Sequence, residues 1–117
     1  MLLNLPRLEG YRRLGLLEEM LNDYQPQMAR LVARLKDAAQ SGEREASLSA
    51  LHSLLGMSGE AGALALYQQV RRVYVPLLEQ QQWPAAGWLE QLEALARRTD
   101  DALLAYCAAE APSSTVK

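Results

Sequence analysis

The chain of 117 residues is long enough for one domain and too short for two cores of ordinary size. Half of its residues are hydrophobic, yet no apolar run reaches the roughly 18 residues that a membrane-spanning helix needs. A formal net charge of -2 with twelve scattered basic residues argues against a nucleic-acid partner. The single cysteine excludes an internal disulfide and is typical of a reducing compartment. We therefore expect a cytoplasmic protein whose domain makes no membrane contact.

The first half of the chain predicts helices. Leucine, alanine, glutamate, glutamine and arginine dominate, and all of them are good helix formers. After a short leading segment, apolar residues at helical spacing predict one long helix from Leu14 to about Gln40. Pro26 lies inside it, so either this helix bends near Asn22 or two helices meet there.

The second half predicts three more helices. Ser41-Gly42 makes a break, a helix follows from about Glu43 to Met57, and Ser58-Gly59 is the expected turn. The next helix should bend or end at Pro76. Pro84 suits the first turn of the last helix.

Four amphipathic helices with short connections predict an all-α fold. Their simplest packing is an antiparallel up-down four-helix bundle, here with a short N-terminal helical segment. We expect the domain to cover residues 1–110 and residues 111–117 to form a disordered tail.

His52 is the only histidine of the chain. At about 100° per residue, Leu51, Leu54 and Ser58 cluster on one side of its helix, and the imidazole points away from that cluster. The same exposed stripe contains Glu45, Ser49, Gly56 and Gly59. We therefore expect a solvent-facing imidazole, although a lone surface histidine often has no role.

Gly56 has two interpretations. A glycine inside a helix costs about 1 kcal/mol relative to alanine, so its presence one turn from His52 favours close access by another protein. Alternatively, Gly56 ends the helix as a C-cap near Ser58-Gly59. Gly62-Ala63 would allow neighbouring helices to approach closely.

The segment from Leu51 to Ala63 resembles the phosphoacceptor signature of histidine phosphotransfer (HPt) domains. In that signature a leucine follows the histidine at plus two and a glycine at plus four, and a Ser-Gly-x-x-Gly-Ala segment comes next. Leu54, Gly56 and the run from Ser58 to Ala63 match this spacing. The resemblance covers about Leu14 to Tyr106, and only the His52 segment is motif-like.

The resemblance implies a phosphorelay intermediate. His52 would accept a phosphoryl group on Nε2 from a receiver-domain aspartyl phosphate and pass it to another receiver aspartate. The partner receiver would supply Mg²⁺, so we expect no metal or cofactor site in this chain and no kinase or ATPase activity. No Gly-rich phosphate loop or cluster of metal ligands is present in the sequence.

Leu55 departs from the family pattern, which usually has a lysine there. Arg71 and Arg72 could replace that charge, or they could be solvated surface residues. Leu48 and Leu55 would form an apolar rim beside His52, or simply the edge of the core. The predicted docking surface consists of Leu48, Ser49, Leu55, Gly56 and Gly59.

The sequence is compatible with three functions. The chain could be the C-terminal HPt domain of a bacterial hybrid sensor histidine kinase, at the cytoplasmic end of a membrane protein, or a standalone HPt protein; in either case we expect a monomer. The alternative function is an HPt-like scaffold that binds a receiver or another regulatory protein without phosphotransfer. A helical adaptor with a coincidental motif is a third reading.

Overall fold

The computed structural model describes the backbone of residues 1–114 and the side chains of residues 1–109. This part of the chain is helical and contains no strand. Its helices are α1 (Leu5–Leu14), α2 (Leu17–Gln40), α3 (Arg44–Glu60), α4 (Leu64–Gln80) and α5 (Trp88–Ser114). The predicted all-α fold is confirmed. Within the described residues no helix is long and apolar enough to cross a membrane.

The helices pack as a bundle around one hydrophobic core. α3 lies against α2 and α4, α5 also lies against α2 and α4, and α1 packs on α2. The core is built mainly from leucine, because an apolar side chain without branching at Cβ combines helix propensity with a large buried area. Its fully buried members include Leu8, Met28, Leu35, Leu51, Leu54, Leu66, Val70, Leu77, Leu92 and Leu103.

The first helical boundary differs from the prediction. The chain breaks after Leu14, where Gly15 takes the left-handed conformation with φ 73° and donates its N–H to the Arg12 carbonyl. A second helix then runs without interruption through Pro26 to Gln40. The predicted alternative of two helices that meet near Asn22 is therefore wrong. The junction lies at Gly15, because a glycine tolerates the positive φ of a helix end.

The predicted turn at Ser58-Gly59 was also wrong. The Ser58 hydroxyl is buried and donates to the Leu54 carbonyl at 2.7 Å, so this serine continues the helix. α3 ends at Glu60, and the chain turns at Gly62, which has φ 72°.

Neither Pro76 nor Pro84 marks a helix boundary. Pro76 lies inside α4, which continues to Gln80. Pro84 lies in the connection before α5, which starts at Trp88 directly after Gly87, a residue with φ 89°. α5 extends to Ser114, so it includes the first four residues of the segment predicted as a disordered tail, while residues 115–117 lie outside the described part.

Side chains satisfy main-chain groups at both ends of the α3–α4 pair. Arg44, at the start of α3, donates to the carbonyls of Leu77 and Leu78 near the end of α4, at 2.9 and 3.0 Å. At the other end, Arg7 and Tyr11 of α1 both donate to the Glu60 carbonyl, at 2.9 and 2.7 Å. Carbonyls in the last turn of a helix lack helical partners, so these bonds satisfy them.

The loop between α3 and α4 also holds the N-terminal segment. The Asn4 N–H donates to the Gly62 carbonyl at 2.8 Å, and a Cβ built on Gly62 would meet Leu8 Cγ at 3.2 Å. Ala63 is fully buried. The close approach expected at Gly62-Ala63 is confirmed, and α1 is the element that approaches.

Asp100 is half-buried and has an unfavourable setting for a carboxylate. Tyr24 Oη and Asp100 Oδ1 are both buried, and neither has a hydrogen-bond partner among the described residues. Burial, and secondly the charge of Asp101, raise the pKa of Asp100. Burial, and secondly Asp100, raise the pKa of Tyr24.

Asp100→Asn should therefore stabilise the fold at neutral pH. A carboxyl group whose pKa is raised by folding stabilises the native state at low pH, and this stability is lost as the pH rises through the folded pKa. We expect a gain below about 1 kcal/mol in the free energy of unfolding at pH 7, because Asp100 is only partly buried and solvent weakens the unfavourable charge. The gain should shrink in acid, where the parent carboxyl group is protonated. Urea unfolding at both pH values measures it, and the exposed Asp101→Asn variant should gain less.

Candidate functional site: the His52 face of α3

His52 is presented to solvent because the opposite side of α3 is buried. Leu51 and Leu54 are fully buried, and so is Ser58, whereas the His52 side chain is exposed. Ser49 and Gly56, on either side of His52 along the helix, are exposed as well. The expected orientation of the imidazole is confirmed.

The flank of His52 that faces α4 is aromatic and apolar. The imidazole and the Tyr74 ring have centroids 6.0 Å apart and planes inclined by 42°. Leu55 is half-buried and packs against the core on this flank. Further along, a Cβ on Gly59 would lie 3.4 Å from the Tyr67 ring, so the glycine leaves room for that ring.

The flank that faces α2 is polar and cationic. An open groove of about 500 Å³ runs between α2 and α3. It is lined by Gln27, Arg30, Leu31, Arg34, His52, Ser53, Gly56, Met57 and Glu60. Arg30 and Arg34 are exposed, and the salt bridges found among the described side chains involve neither of them. The arrangement places a nucleophilic imidazole and two guanidinium groups on the wall of one groove.

The predicted docking residues fall into different environments. Ser49 and Gly56 are exposed beside His52, and Leu55 and Gly59 are half-buried. Leu48 is only 8% exposed and belongs to the core. The predicted apolar rim therefore loses Leu48, because its helix position turns it towards the bundle interior, and it retains only Leu55.

Arg71 and Arg72, the arginines that could replace the missing lysine charge, do not line the groove that contains His52. Arg71 and Arg72 are exposed and line a separate groove on α4 with Tyr67, Gln68, Val75 and Pro76. Sequence reasoning missed Arg30 and Arg34 instead. Their spacing of four residues indicates that they share one face of a helix. The sequence does not show which face of α2 borders His52, because that depends on the packing of α2 on α3.

Gly56 lies in the interior of α3, four residues before its end, so it does not act as a C-cap. No atom outside its own helix backbone lies within 4 Å of a Cβ built at this position. The C-cap alternative is wrong, and neither a turn nor a packing contact requires this glycine. Its effect is to leave the main chain of α3 bare beside His52.

No group of three or more histidine, cysteine, aspartate or glutamate side chains among the described residues is arranged to hold a metal ion. Comparisons with family models, with curated proteins and with solved structures gave no match. We therefore infer the function from the residues around His52.

Gly56→Ala should stabilise the protein. Alanine adds helix propensity worth about 1 kcal/mol, and its methyl group enters open space. Gly62→Ala should destabilise it, because φ is 72° there and the new Cβ would press on Leu8. Thermal melts of the two variants check the pair, and a Gly56→Ala variant that melts below the parent would contradict this account of Gly56.

Proposed function

We propose that this chain is a phosphotransfer module in which His52 accepts a phosphoryl group from a receiver-domain aspartyl phosphate and passes it to another receiver aspartate. The observation that carries the proposal is the setting of the only histidine. It is exposed at a groove with two arginines, beside a glycine that no contact requires. The ring contact with Tyr74 leaves the imidazole exposed, so burial in the core does not explain the presence of this side chain.

The proposed transfer uses the lone pair on Nε2 of a neutral imidazole. Nε2 attacks phosphorus, a nitrogen–phosphorus bond forms, and the bond from phosphorus to the aspartate oxygen breaks. The carboxylate leaves with the electron pair, and the proton on Nδ1 stays on the ring. The reverse reaction on a second receiver aspartate regenerates neutral His52. Nε2 of the neutral imidazole already has a free lone pair, so no separate base is needed to activate it.

The packing is compatible with an antiparallel up-down four-helix bundle formed by α2 to α5. α2 and α3 are joined by three residues, as are α3 and α4. Gly59 lies near Tyr67 and His52 near Tyr74, so contacts move back along α3 as they move forward along α4. Such a bundle offers a firm surface on which a receiver can dock.

The remaining partners follow from the same proposal. The receiver's own carboxylates would hold the Mg²⁺ that neutralises part of the phosphoryl charge, and this chain would bring no cofactor and no nucleotide site. We propose a monomer that acts in the cytoplasm within two-component signalling. Its parent would be a bacterial hybrid histidine kinase, or it would act as a standalone protein.

A scaffold without phosphotransfer is the second candidate. It is favoured by Leu55, which packs against the core where HPt domains usually have a lysine. Such a scaffold would bind a receiver through the same face, and binding would not depend on the chemistry of His52.

Replacement of His52 by glutamine separates the two candidates. His52→Gln should lose all label from a phosphorylated receiver and keep the helical circular dichroism, since the side chain is exposed. The parent should acquire acid-labile, alkali-stable label from the receiver and none from Mg²⁺-ATP alone. Unlabelled parent that still binds the receiver would support the scaffold, and label on His52→Gln would refute His52 as the acceptor.

Gly56→Arg tests whether the bare stretch of α3 is a docking surface. A long side chain one turn from His52 should obstruct the receiver and lower the transfer rate at least about tenfold, equivalent to about 1.4 kcal/mol. Stability should equal or exceed that of the parent, because the position is open. The control is Gly10→Arg, at a half-buried glycine of α1 that also has no neighbour within 4 Å of a Cβ. Equal transfer by Gly56→Arg and the parent would contradict docking here.

A further inference from the structure

The groove beside His52 contains positive charge on the flank opposite to Leu55. At about 100° per residue, Leu55 lies about 60° from His52 to one side and Gly56 about 40° to the other. The groove between α2 and α3 includes Gly56 and Ser53 and does not include Leu55. A cation from α2 would therefore reach His52 from the side that Leu55 does not occupy.

Arg30 and Arg34 are the cations on that side. They are four residues apart in α2, so their side chains leave the same helix face about one turn apart. Both line the groove with His52. Their exposure keeps the side chains free to move, and no salt bridge among the described residues holds either guanidinium in another direction.

The one acidic residue among the described side chains that line the groove, Glu60, lies at the end of α3 and away from His52. Glu60 is eight residues beyond His52, about 12 Å along the helix axis. It also borders a smaller cavity of about 240 Å³ with Tyr24 and Asp23, a cavity that neither His52 nor the two arginines line. The carboxylate of the groove is thus separated from His52 along α3, whereas the two cations of the groove lie on its α2 wall.

A phosphoryl group on an imidazole carries close to two negative charges, and guanidinium groups bind such oxygens through charge-assisted hydrogen bonds. We propose that Arg30 and Arg34 bind the phosphoryl oxygens of phosphorylated His52, and that they replace from α2 the cation missing at Leu55. This inference rests on the proposed function, and it names the residues that hold the phosphoryl group there.

The test uses chemical phosphorylation, which needs no receiver. Phosphoramidate transfers its phosphoryl group to an imidazole nitrogen and releases ammonia, and label on the parent but not on His52→Gln assigns the site. A pH titration followed by ³¹P NMR then measures the proton affinity of the phosphoryl group. Nearby cations lower that affinity because they favour the dianion.

The double variant Arg30→Ala/Arg34→Ala should raise the proton affinity about fivefold at low salt, the size of one partly exposed charge-assisted contact. The difference should largely vanish near 1 M salt, where the screening length is about 3 Å. Arg30→Lys/Arg34→Lys should remain close to the parent. The matched control is Arg97→Ala/Arg98→Ala, which removes the same charge from exposed positions on α5 and should leave the titration unchanged.

Replacement of the arginines on α4 tests the rival source of charge. If Arg71→Ala/Arg72→Ala raises the proton affinity more than the α2 variant does, the inference is wrong, because the cation then comes from α4. Leu55→Lys, added to Arg30→Ala/Arg34→Ala, should restore much of the parent's low affinity. Failure to restore it would refute the claim that α2 replaces a charge at position 55.

The two proposals fail in different ways. An arginine effect in the chemical experiment, without any transfer from a receiver, would overturn the proposed function as a relay and leave the phosphoryl-binding inference standing. Receiver transfer with an unchanged titration in Arg30→Ala/Arg34→Ala would overturn the inference alone. A parent that takes no phosphoramidate label at His52 would overturn both.

Discussion

Burial of one face of α3 is the constraint on which the rest of the structure depends. Leu51 and Leu54 are fully buried, and a helix that buries them must turn His52 outward. α2 and α4 pack on either side of this helix and so form the walls beside the imidazole. The setting of the exposed histidine is thus fixed by the core: moving the imidazole would require repacking the leucines behind it.

The two walls differ chemically. On the α4 side, His52 meets the Tyr74 ring and Leu55 packs into the core, so this side is shaped by van der Waals contact. On the α2 side, the groove is open and carries Arg30 and Arg34. An anion at His52 would meet ring edges and methyl groups on one side and guanidinium groups on the other. If His52 accepts a phosphoryl group as proposed, this asymmetry would give the incoming group a preferred direction.

The all-α fold class and the orientation of His52 could be predicted from the sequence, because both depend on the local spacing of apolar residues. Helix ends were predicted less well, because residue types that are typical of turns also occur inside helices. Ser58 continues a helix by bonding to a carbonyl four residues back, whereas Gly15 ends one with a positive φ. Leu48 was assigned to a rim, although burial of a leucine at the edge of a stripe depends on its neighbours. Arg30 and Arg34 became part of the site only through the packing of α2 on α3.

α1 is attached to the bundle less firmly than α3, so the two helices should differ in local stability. Leu8 is the one buried residue of this helix, and hydrogen bonds from Arg7 and Tyr11 to the Glu60 carbonyl add to its docking. By contrast, α3 buries six residues between its neighbours. Backbone amides of α1 should therefore exchange with solvent through local opening, and those of α3 only when the whole bundle unfolds. Detachment of α1 would expose the end of α3 and leave the helix around His52 folded.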